Sequence, residues 1–149
     1  MTSHHLDTRE ALPKPRPEPT PTTRPFWEAL SDDRIVVPRC DACGTWVFYP
    51  RSRCTTCLSD DLVWNGISGA GRLVTWSVAA QPTVAMFADE MPQIIAIVET
   101  DEGIRMTTTM VTDDPSSLRA GAPVAPVFDH GEDGKTLLRF RQIGEGDRR

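Results

Sequence analysis

Four cysteines, the only ones in this 149-residue chain, constrain the fold more than any other feature. They form two C-x-x-C pairs, Cys40 with Cys43 and Cys54 with Cys57, separated by ten residues. Two such turns can offer four thiolates to one tetrahedral Zn²⁺, and the short spacer suits a zinc ribbon with a small hairpin. Two disulfides or a redox motif are the alternatives, although a thioredoxin-like motif needs only one C-x-x-C. The spacing therefore predicts a structural zinc site.

Composition limits the classes of protein to which the chain can belong. Met1 to His5 lacks the apolar run of a secretory signal, and no stretch approaches the ~20 apolar residues of a membrane helix. We therefore expect a cytoplasmic protein without membrane association, in which thiols stay reduced and available to a metal. The net charge of −5, from 16 basic and 21 acidic residues, argues against a dedicated nucleic-acid-binding role on electrostatic grounds.

The N-terminal region is dominated by prolines on alternate positions. These prolines are Pro13, Pro15, Pro17, Pro19 and Pro21. Such a run favours extended structure and builds no core, so residues 1–23 are predicted to form a Pro-rich disordered arm. An arm that lies on a partner subunit is the alternative.

A short helix is predicted over residues 24–33. Thr23 is a candidate N-cap, and Pro25 suits a first helical turn. The apolar face of the helix carries Phe26 and Trp27. Because so short a helix is marginal alone, this face must pack on the chain's own body or on another protein. Phe26 and Trp27 are therefore candidate partner- or ligand-binding residues.

Residues 34–66 are predicted to form the zinc ribbon. A strand at 35–38 leads into the first cysteine turn, 46–50 returns as an aromatic strand, and 62–64 pairs back. Gly44 follows Cys43 at a position that often needs a positive φ. Arg51 and Arg53 belong to a basic stretch that either faces water or meets a partner or a phosphate group.

Residues 67–149 have the pattern of a small β-barrel. Strands are predicted at 72–78, 93–99, 104–110, 124–128 and 136–140, with the second buried on both faces and paired to the third as a hairpin. Five short strands without a long helix between them predict a five-stranded OB-fold. The chain as a whole is expected to be mainly β.

One loop of the predicted barrel, residues 79–92, is long and carries Met86 and Phe87. A 14-residue loop inside a compact domain often has a function, and exposed Met and Phe suit an apolar ligand or a partner. The alternative is that both side chains simply cover the end of the barrel. Met86 and Phe87 join the candidate partner- or ligand-binding residues.

No catalytic constellation is apparent in the sequence. It contains no nucleophile elbow, P-loop or dinucleotide fingerprint, and a four-thiolate metal site leaves no open position for substrate. His130 lies in a predicted turn beside Asp129, where a His–Asp neighbour pair is usually not a general base. The sequence predicts no catalytic residues.

The chain resembles the DUF35 family, which comprises zinc-ribbon and OB-fold proteins associated with acyl-CoA. The resemblance covers about residues 24–143 and leaves the proline-rich region outside. It is carried by Phe26-Trp27, Arg39 to Gly44, Tyr49-Pro50-Arg51, Cys54 to Cys57, Gly69-Ala70-Gly71, Pro92 to Gly103 and Gly121 to Val124. It implies a short N-terminal helix, a rubredoxin-like zinc ribbon and a C-terminal OB-fold.

The same resemblance implies a companion role. Members of the family are usually complexed with thiolase-superfamily enzymes, including lipid-transfer-type thiolases that act as aldolases on steroid side-chain acyl-CoA thioesters, and an acyltransferase. The chain is then a non-catalytic accessory subunit of a hetero-oligomer, which supports assembly and acyl-CoA binding in the degradation of steroid side chains or other lipids. Partnership with a MaoC-like hydratase, single-stranded nucleic-acid binding, and an independent enzyme or acyl-CoA carrier are the alternatives.

Overall fold

The computed structural model describes residues 13–147, which contain one α-helix and seven strands. In chain order these elements are α1 (Arg24–Ser31), β1 (Ile35–Cys40), β2 (Leu62–Ile67), β3 (Gly71–Ala79), β4 (Gln93–Thr100), β5 (Arg105–Thr109), β6 (Pro123–His130) and β7 (Thr136–Gln142). The strands form a two-stranded sheet and a five-stranded sheet. The predicted fold class, mainly β with a short helix, a zinc ribbon and a five-stranded barrel, is confirmed.

The helix α1 buries one face and begins without the predicted side-chain cap. Phe26, Ala29 and Leu30 are buried. Thr23 occupies the N-cap position, but its hydroxyl accepts a 3.0 Å hydrogen bond from the backbone N–H of Thr20 and makes none to the helix. The predicted side-chain cap is therefore wrong, because the Thr23 hydroxyl is hydrogen-bonded within the tight turn that precedes the helix.

The ribbon sheet pairs β1 with β2 in antiparallel register, from Ile35 opposite Ile67 to Cys40 opposite Leu62. The predicted aromatic strand at 46–50 is wrong, because pairing there is limited to an isolated bridge between Arg39 and Trp46. Val47 donates a 2.8 Å backbone hydrogen bond to Pro38. Pro38 has no N–H with which to donate the second hydrogen bond of this pair. Residues 46–50 therefore do not extend the β1–β2 sheet as a third strand.

The five-stranded sheet has the strand order β5-β4-β3-β6-β7. A parallel bridge between Met110, just after β5, and Phe140 of β7 brings its two outer strands together into a nearly closed barrel. Gly71 at the start of β3 is required by packing, because a Cβ there would lie 2.7 Å from the Cα of Thr100. This is the partly open Greek-key barrel of the OB type.

Strand β4 is buried on one face only. Ile94, Ala96 and Val98 are buried, whereas Ile95 keeps 45% of its surface exposed. The prediction of burial on both faces is wrong, because alternate side chains of a strand point to opposite sides and the described residues leave the outer face at Ile95 partly open. The hairpin of β4 and β5 is confirmed by its register.

Helix, ribbon and barrel share one hydrophobic core. Phe26 and Leu30 of α1 and Val37 of β1 belong to the same buried cluster as Leu73 and Phe140 of the barrel. A second, small cluster surrounds the cysteines. The helix and ribbon are thus held against the barrel by direct burial of apolar side chains.

Ion pairs connect the described part of the N-terminal region, residues 13–23, to the barrel. Lys14 pairs with Asp89 and Glu90 at 2.8 Å, and the disorder of the arm stays a prediction. These ion pairs join groups far apart in sequence, which a compositional argument does not detect. Residues 1–12 of the predicted arm lie outside the described residues. Within residues 13–147 no helix is long and apolar enough to cross a membrane.

Candidate metal centre and apolar cavity

The four cysteines meet at one point between the two cysteine turns. All four Sγ atoms lie within 4.8 Å of one another. Sγ of Cys40 is 3.6 Å from that of Cys57, and Sγ of Cys43 is 3.5 Å from that of Cys54. Each close pair joins one cysteine from each turn, so the set can surround a single metal ion.

The backbone of both turns has the same form. Gly44 donates a 2.7 Å hydrogen bond to the carbonyl of Cys40, and Leu58 donates a 3.1 Å bond to that of Cys54. Gly44 has a φ of +77°, which confirms the expected positive φ. Leu58 has a φ of +63°, a conformation that a leucine adopts only when its surroundings enforce it. The repeated turn aims both cysteines of each pair at the centre.

The thiols differ in their readiness to ionise. A side-chain hydrogen bond with the Thr45 hydroxyl lowers the pKa of Cys43 to about 6. Cys57 has a backbone hydrogen bond to Ser59 that favours its thiolate, but the neighbouring Cys43 thiol and burial outweigh it and raise the pKa of Cys57 to about 12. A metal ion that binds all four sulfurs must therefore displace a proton from Cys57.

A cavity of about 760 Å³ lies on the other side of the helix, between α1, the ribbon and the barrel. Its volume is within the ~300–1,000 Å³ typical of small-molecule sites. Strands β5 and β7 form one wall, where the barrel does not close by backbone pairing. Side chains bridge the opening there: the Thr108 hydroxyl donates to the Leu138 carbonyl at 3.1 Å, and Arg139 donates to the Thr109 hydroxyl at 3.1 Å.

Aromatic side chains form the opposite wall. Phe26 contacts the rings of Trp27, Phe48 and Tyr49 edge-on, with ring centroids 5.1 to 5.9 Å apart. The indole N–H of Trp27 donates a 2.8 Å hydrogen bond to the Tyr49 hydroxyl. Such edge-to-face pairs add stability beyond their buried area and give the wall a fixed shape.

Both halves of the chain match domains described for one protein family. Residues 27–63 match the rubredoxin-like zinc ribbon domain of ChsH2, and residues 64–129 match the C-terminal OB-fold domain of ChsH2. A DUF35 domain-containing scaffold protein of Methanothermobacter thermautotrophicus is 39% identical over 127 residues, which are 82% of this chain and 95% of that protein. The chain belongs to the DUF35 family.

This DUF35 protein is also similar to a curated relative and to a solved structure, both described as parts of enzymes. A probable enoyl-CoA hydratase alpha subunit of Thermomonospora curvata is 33% identical over 130 residues, 86% of this chain. The chain spans only 40% of the length of that relative. A solved structure described as Ltp2-ChsH2(DUF35) aldolase superposes with a TM-score of 0.75 and 32% identity, covering 85% of this chain and 98% of that one.

The structure separates the predicted partner- or ligand-binding residues of this DUF35 protein into two places. Phe26, Trp27 and Phe87 line the cavity, although Phe26 is only 4% exposed. Met86 is half-buried and lies outside the cavity lining. Arg51 and Arg53 are exposed and line a shallow depression beside Cys54.

Two residues of interest were not predicted as site residues. Leu58 keeps 68% of its surface exposed beside Arg53, whose guanidinium donates a 3.1 Å hydrogen bond to the Leu58 carbonyl. Tyr49 is 43% exposed and lines the cavity. An apolar residue directly after the second C-x-x-C was the available signal for Leu58, whereas Tyr49 depends on contacts with the distant helix.

The only histidine among the described residues joins the helix end to the barrel. His130 Nε2 lies 2.8 Å from an Asp33 carboxylate oxygen, and Nδ1 lies 2.9 Å from the Thr136 hydroxyl. Thr136 is 3% exposed, so its hydroxyl cannot reach a substrate. This polar chain therefore connects elements of the fold and offers no nucleophile.

Proposed function

We propose that this DUF35 protein is a non-catalytic accessory subunit of a thiolase-superfamily acyl-CoA enzyme, an aldolase or acyltransferase of steroid side-chain or other lipid degradation. One observation carries the proposal. The chain superposes on almost the whole of a chain from the structure described as Ltp2-ChsH2(DUF35) aldolase, at 32% identity. At that identity and coverage the two chains share more than a fold, which supports a shared type of assembly.

The chemistry of the described residues supports a division of labour between subunits. The cysteine cluster is a closed four-ligand set with no position left for a substrate or water. His130 is held between Asp33 and Thr136. The groups that would do acid–base or nucleophilic work are thus committed to the fold, and the catalytic residues belong to the partner.

The metal is proposed to be Zn²⁺ held by Cys40, Cys43, Cys54 and Cys57. A tetrahedral site with Zn–S distances of ~2.3 Å has sulfurs about 3.8 Å apart, and the closest Sγ pairs are 3.5 and 3.6 Å apart. Bound zinc would stabilise the ribbon by an amount of order 10 kcal/mol, as in small zinc domains. Its role is to fix the cysteine turns, and with them Leu58 and the neighbouring arginines.

The tip of the second cysteine turn is the proposed contact with the partner subunit. Arg51, Arg53 and Leu58 are exposed there, a large apolar side chain beside two cationic ones. Arginine and apolar side chains at the centre of a patch are typical of protein interfaces. Acyl-CoA is the proposed substrate of the assembled enzyme, and the cytoplasm its proposed location.

Complex formation tests this proposal. The chain is co-expressed with thiolase-superfamily proteins encoded near its gene, and the purified material is separated by gel filtration. We expect one peak that holds both proteins, and loss of that peak with the double variant R51E/R53E. The control R119E/R141E removes two exposed barrel arginines and should leave it intact. Two separate peaks for the wild type under all conditions would contradict the proposal.

A hydratase partner is the second candidate, favoured by the similarity to the Thermomonospora curvata alpha subunit. In that case the same gel-filtration experiment with a MaoC-like hydratase subunit gives the shared peak, and the thiolase-superfamily proteins elute separately. The two candidates therefore predict opposite partners in a single set of co-expressions.

A further inference from the structure

The described part of the N-terminal region reaches the apolar cavity. Lys14, Pro15 and Arg16 line the cavity. We call residues 13–19 the arm. The family domains match residues 27–129, so the arm is an addition to the matched part of the chain.

Ion pairs fasten the arm to two loops on opposite sides of the cavity. Lys14 pairs at 2.8 Å with Asp89 and Glu90, which belong to the 3₁₀ helix Ala85–Glu90 between β3 and β4. Arg16 pairs at 3.2 Å with Asp133 in the turn between β6 and β7. Glu18 accepts from Lys135 of the same turn. The arm therefore joins two loops between which the described residues show no backbone hydrogen bond.

The fit of Arg16 is close. A Cβ added at Gly131 would collide with the Arg16 guanidinium, so the glycine leaves the space that the arginine occupies. Exposed ion pairs are individually weak and are screened by salt. An arm fastened in this way can open at low cost, and opening would uncover the aromatic wall of the cavity.

The charges around the cavity are already paired within the chain. The charged lining residues are Lys14, Arg16, Glu90, Arg105 and Arg139, and each of them has an ion-pair partner. An anionic ligand would have to compete with the carboxylates that already neutralise these cations. The lining thus favours a neutral, apolar molecule.

The Tyr49 hydroxyl is a polar group of the wall that is available to such a molecule. It accepts from Trp27 and makes no other hydrogen bond among the described residues. Its proton can be donated to a hydroxyl, ketone or ester oxygen of a ligand. The rest of the lining combines aromatic and aliphatic side chains with the paired charges, Gln93 and the threonines of β5.

We propose that the cavity binds a neutral, largely apolar molecule with an oxygen acceptor for the Tyr49 hydroxyl, and that the arm is a salt-sensitive strap that closes over it. This goes beyond the accessory-subunit role, since it concerns the isolated, metal-loaded chain and needs no partner. Opening of the arm at Lys14 and Arg16 precedes entry of the ligand.

The location is tested with N-phenyl-1-naphthylamine, a neutral fluorescent probe. Ile95 lines the cavity and is 45% exposed, so I95R places an unpaired charge at the mouth without disturbing the core. Val78 on β3 is also 45% exposed but lies outside the cavity lining, which makes V78R the matched control. We expect I95R to weaken probe binding about tenfold and V78R to leave it unchanged. Equal binding by I95R and the wild type would show that the probe does not bind in this cavity.

The ligand class is tested by displacement of the same probe. We expect 1-dodecanol to displace it at a lower concentration than dodecanoate, because the carboxylate finds no unpaired cation in the lining. Equal or stronger displacement by dodecanoate would contradict the proposal that the ligand is neutral. Absence of probe binding in the wild type and in every arm variant overturns the binding site itself.

The strap is tested by stopped-flow association of the probe. K14E/R16E turns attraction to Asp89, Glu90 and Asp133 into repulsion, and R119E/R141E is the control with the same change of charge. We expect K14E/R16E to bind the probe roughly three to ten times faster than the wild type. Added salt should speed the wild type and the control, and leave K14E/R16E unchanged. Equal rates for all three proteins would overturn the strap.

Discussion

The indole N–H of Trp27 donates a 2.8 Å hydrogen bond to the hydroxyl of Tyr49, 22 positions later in the chain. This bond ties helix α1 to the segment between the two cysteine turns, and both rings line the cavity. The metal centre and the cavity are therefore not independent, because the segment that closes the ribbon also builds a wall of the cavity.

This pair can be measured by a double-mutant cycle. W27F and Y49F each remove one partner while keeping an aromatic ring, and a bond of this kind contributes about 1 kcal/mol. We expect each single variant to lower the free energy of unfolding by about that amount, and the double variant to lose less than the sum. Urea unfolding followed by circular dichroism gives the values. Purely additive losses would show that the bond contributes nothing.

Loss of one cysteine should act through folding and assembly. Cys40 is 1% exposed, so C40S replaces a buried sulfur ligand with a hydroxyl and leaves three cysteines. We expect C40S to lose its zinc, measured by inductively coupled plasma mass spectrometry, and to lose solubility and complex formation, with activity of the complex lost only as a consequence. T55S, at an exposed position of the second turn, is the control. A soluble, zinc-free C40S protein that assembles normally would refute this.

Metal uptake should release protons. The pKa of Cys57 is raised to about 12 in the metal-free site, so that thiol is protonated at pH 8, whereas the thiol of Cys43, with a pKa of about 6, is already ionised. Metal affinity is therefore expected to fall as the pH falls. Calorimetric titration of the metal-free protein with Zn²⁺ in buffers of different ionisation enthalpy measures the protons released. A binding enthalpy that is independent of the buffer would contradict the prediction.

Glu99 should stabilise the barrel only above its titration range. Hydrogen bonds from Arg105 and then Arg72 lower the pKa of Glu99 below the ordinary 4.5. Because the folded carboxyl holds its proton less tightly than the unfolded one, its contribution is present above pH 4.5 and is lost as the pH falls through the lowered pKa. We expect E99Q to lower Tm at pH 7 and to approach the wild type in acid. D101N, in the adjacent exposed turn, is the control, and a Tm difference for E99Q that does not change with pH would refute the assignment.

The sequence predicted the features that depend on neighbouring residues. The spacing of Cys40, Cys43, Cys54 and Cys57 fixed the metal centre, because each turn needs only four consecutive residues. Alternation of apolar and polar residues located β3, a nearly continuous apolar run located β4, and the turn at 101–103 indicated the hairpin of β4 and β5. These are local rules, and the structure follows them.

Features built from distant residues were not predictable in the same way. The cavity joins Trp27, Tyr49, Phe87 and Leu138, which only the folded chain brings together. The composition of the arm indicated only that it cannot build a core, and the acidic partners of Lys14, 75 and 76 residues away, are not visible in composition. Residues 46–50 had the composition of a strand, but the missing N–H of Pro38 prevents a ladder there.

The most direct test of the central claim is reconstitution of activity from separate proteins. The chain, its thiolase-superfamily partner and the two combined are incubated with acyl-CoA thioesters, and the products are separated by liquid chromatography. The account predicts turnover by the combined proteins, none by the chain alone, and loss of turnover when the partner's catalytic residues are replaced. Turnover by the isolated chain would contradict the claim that it is a non-catalytic subunit.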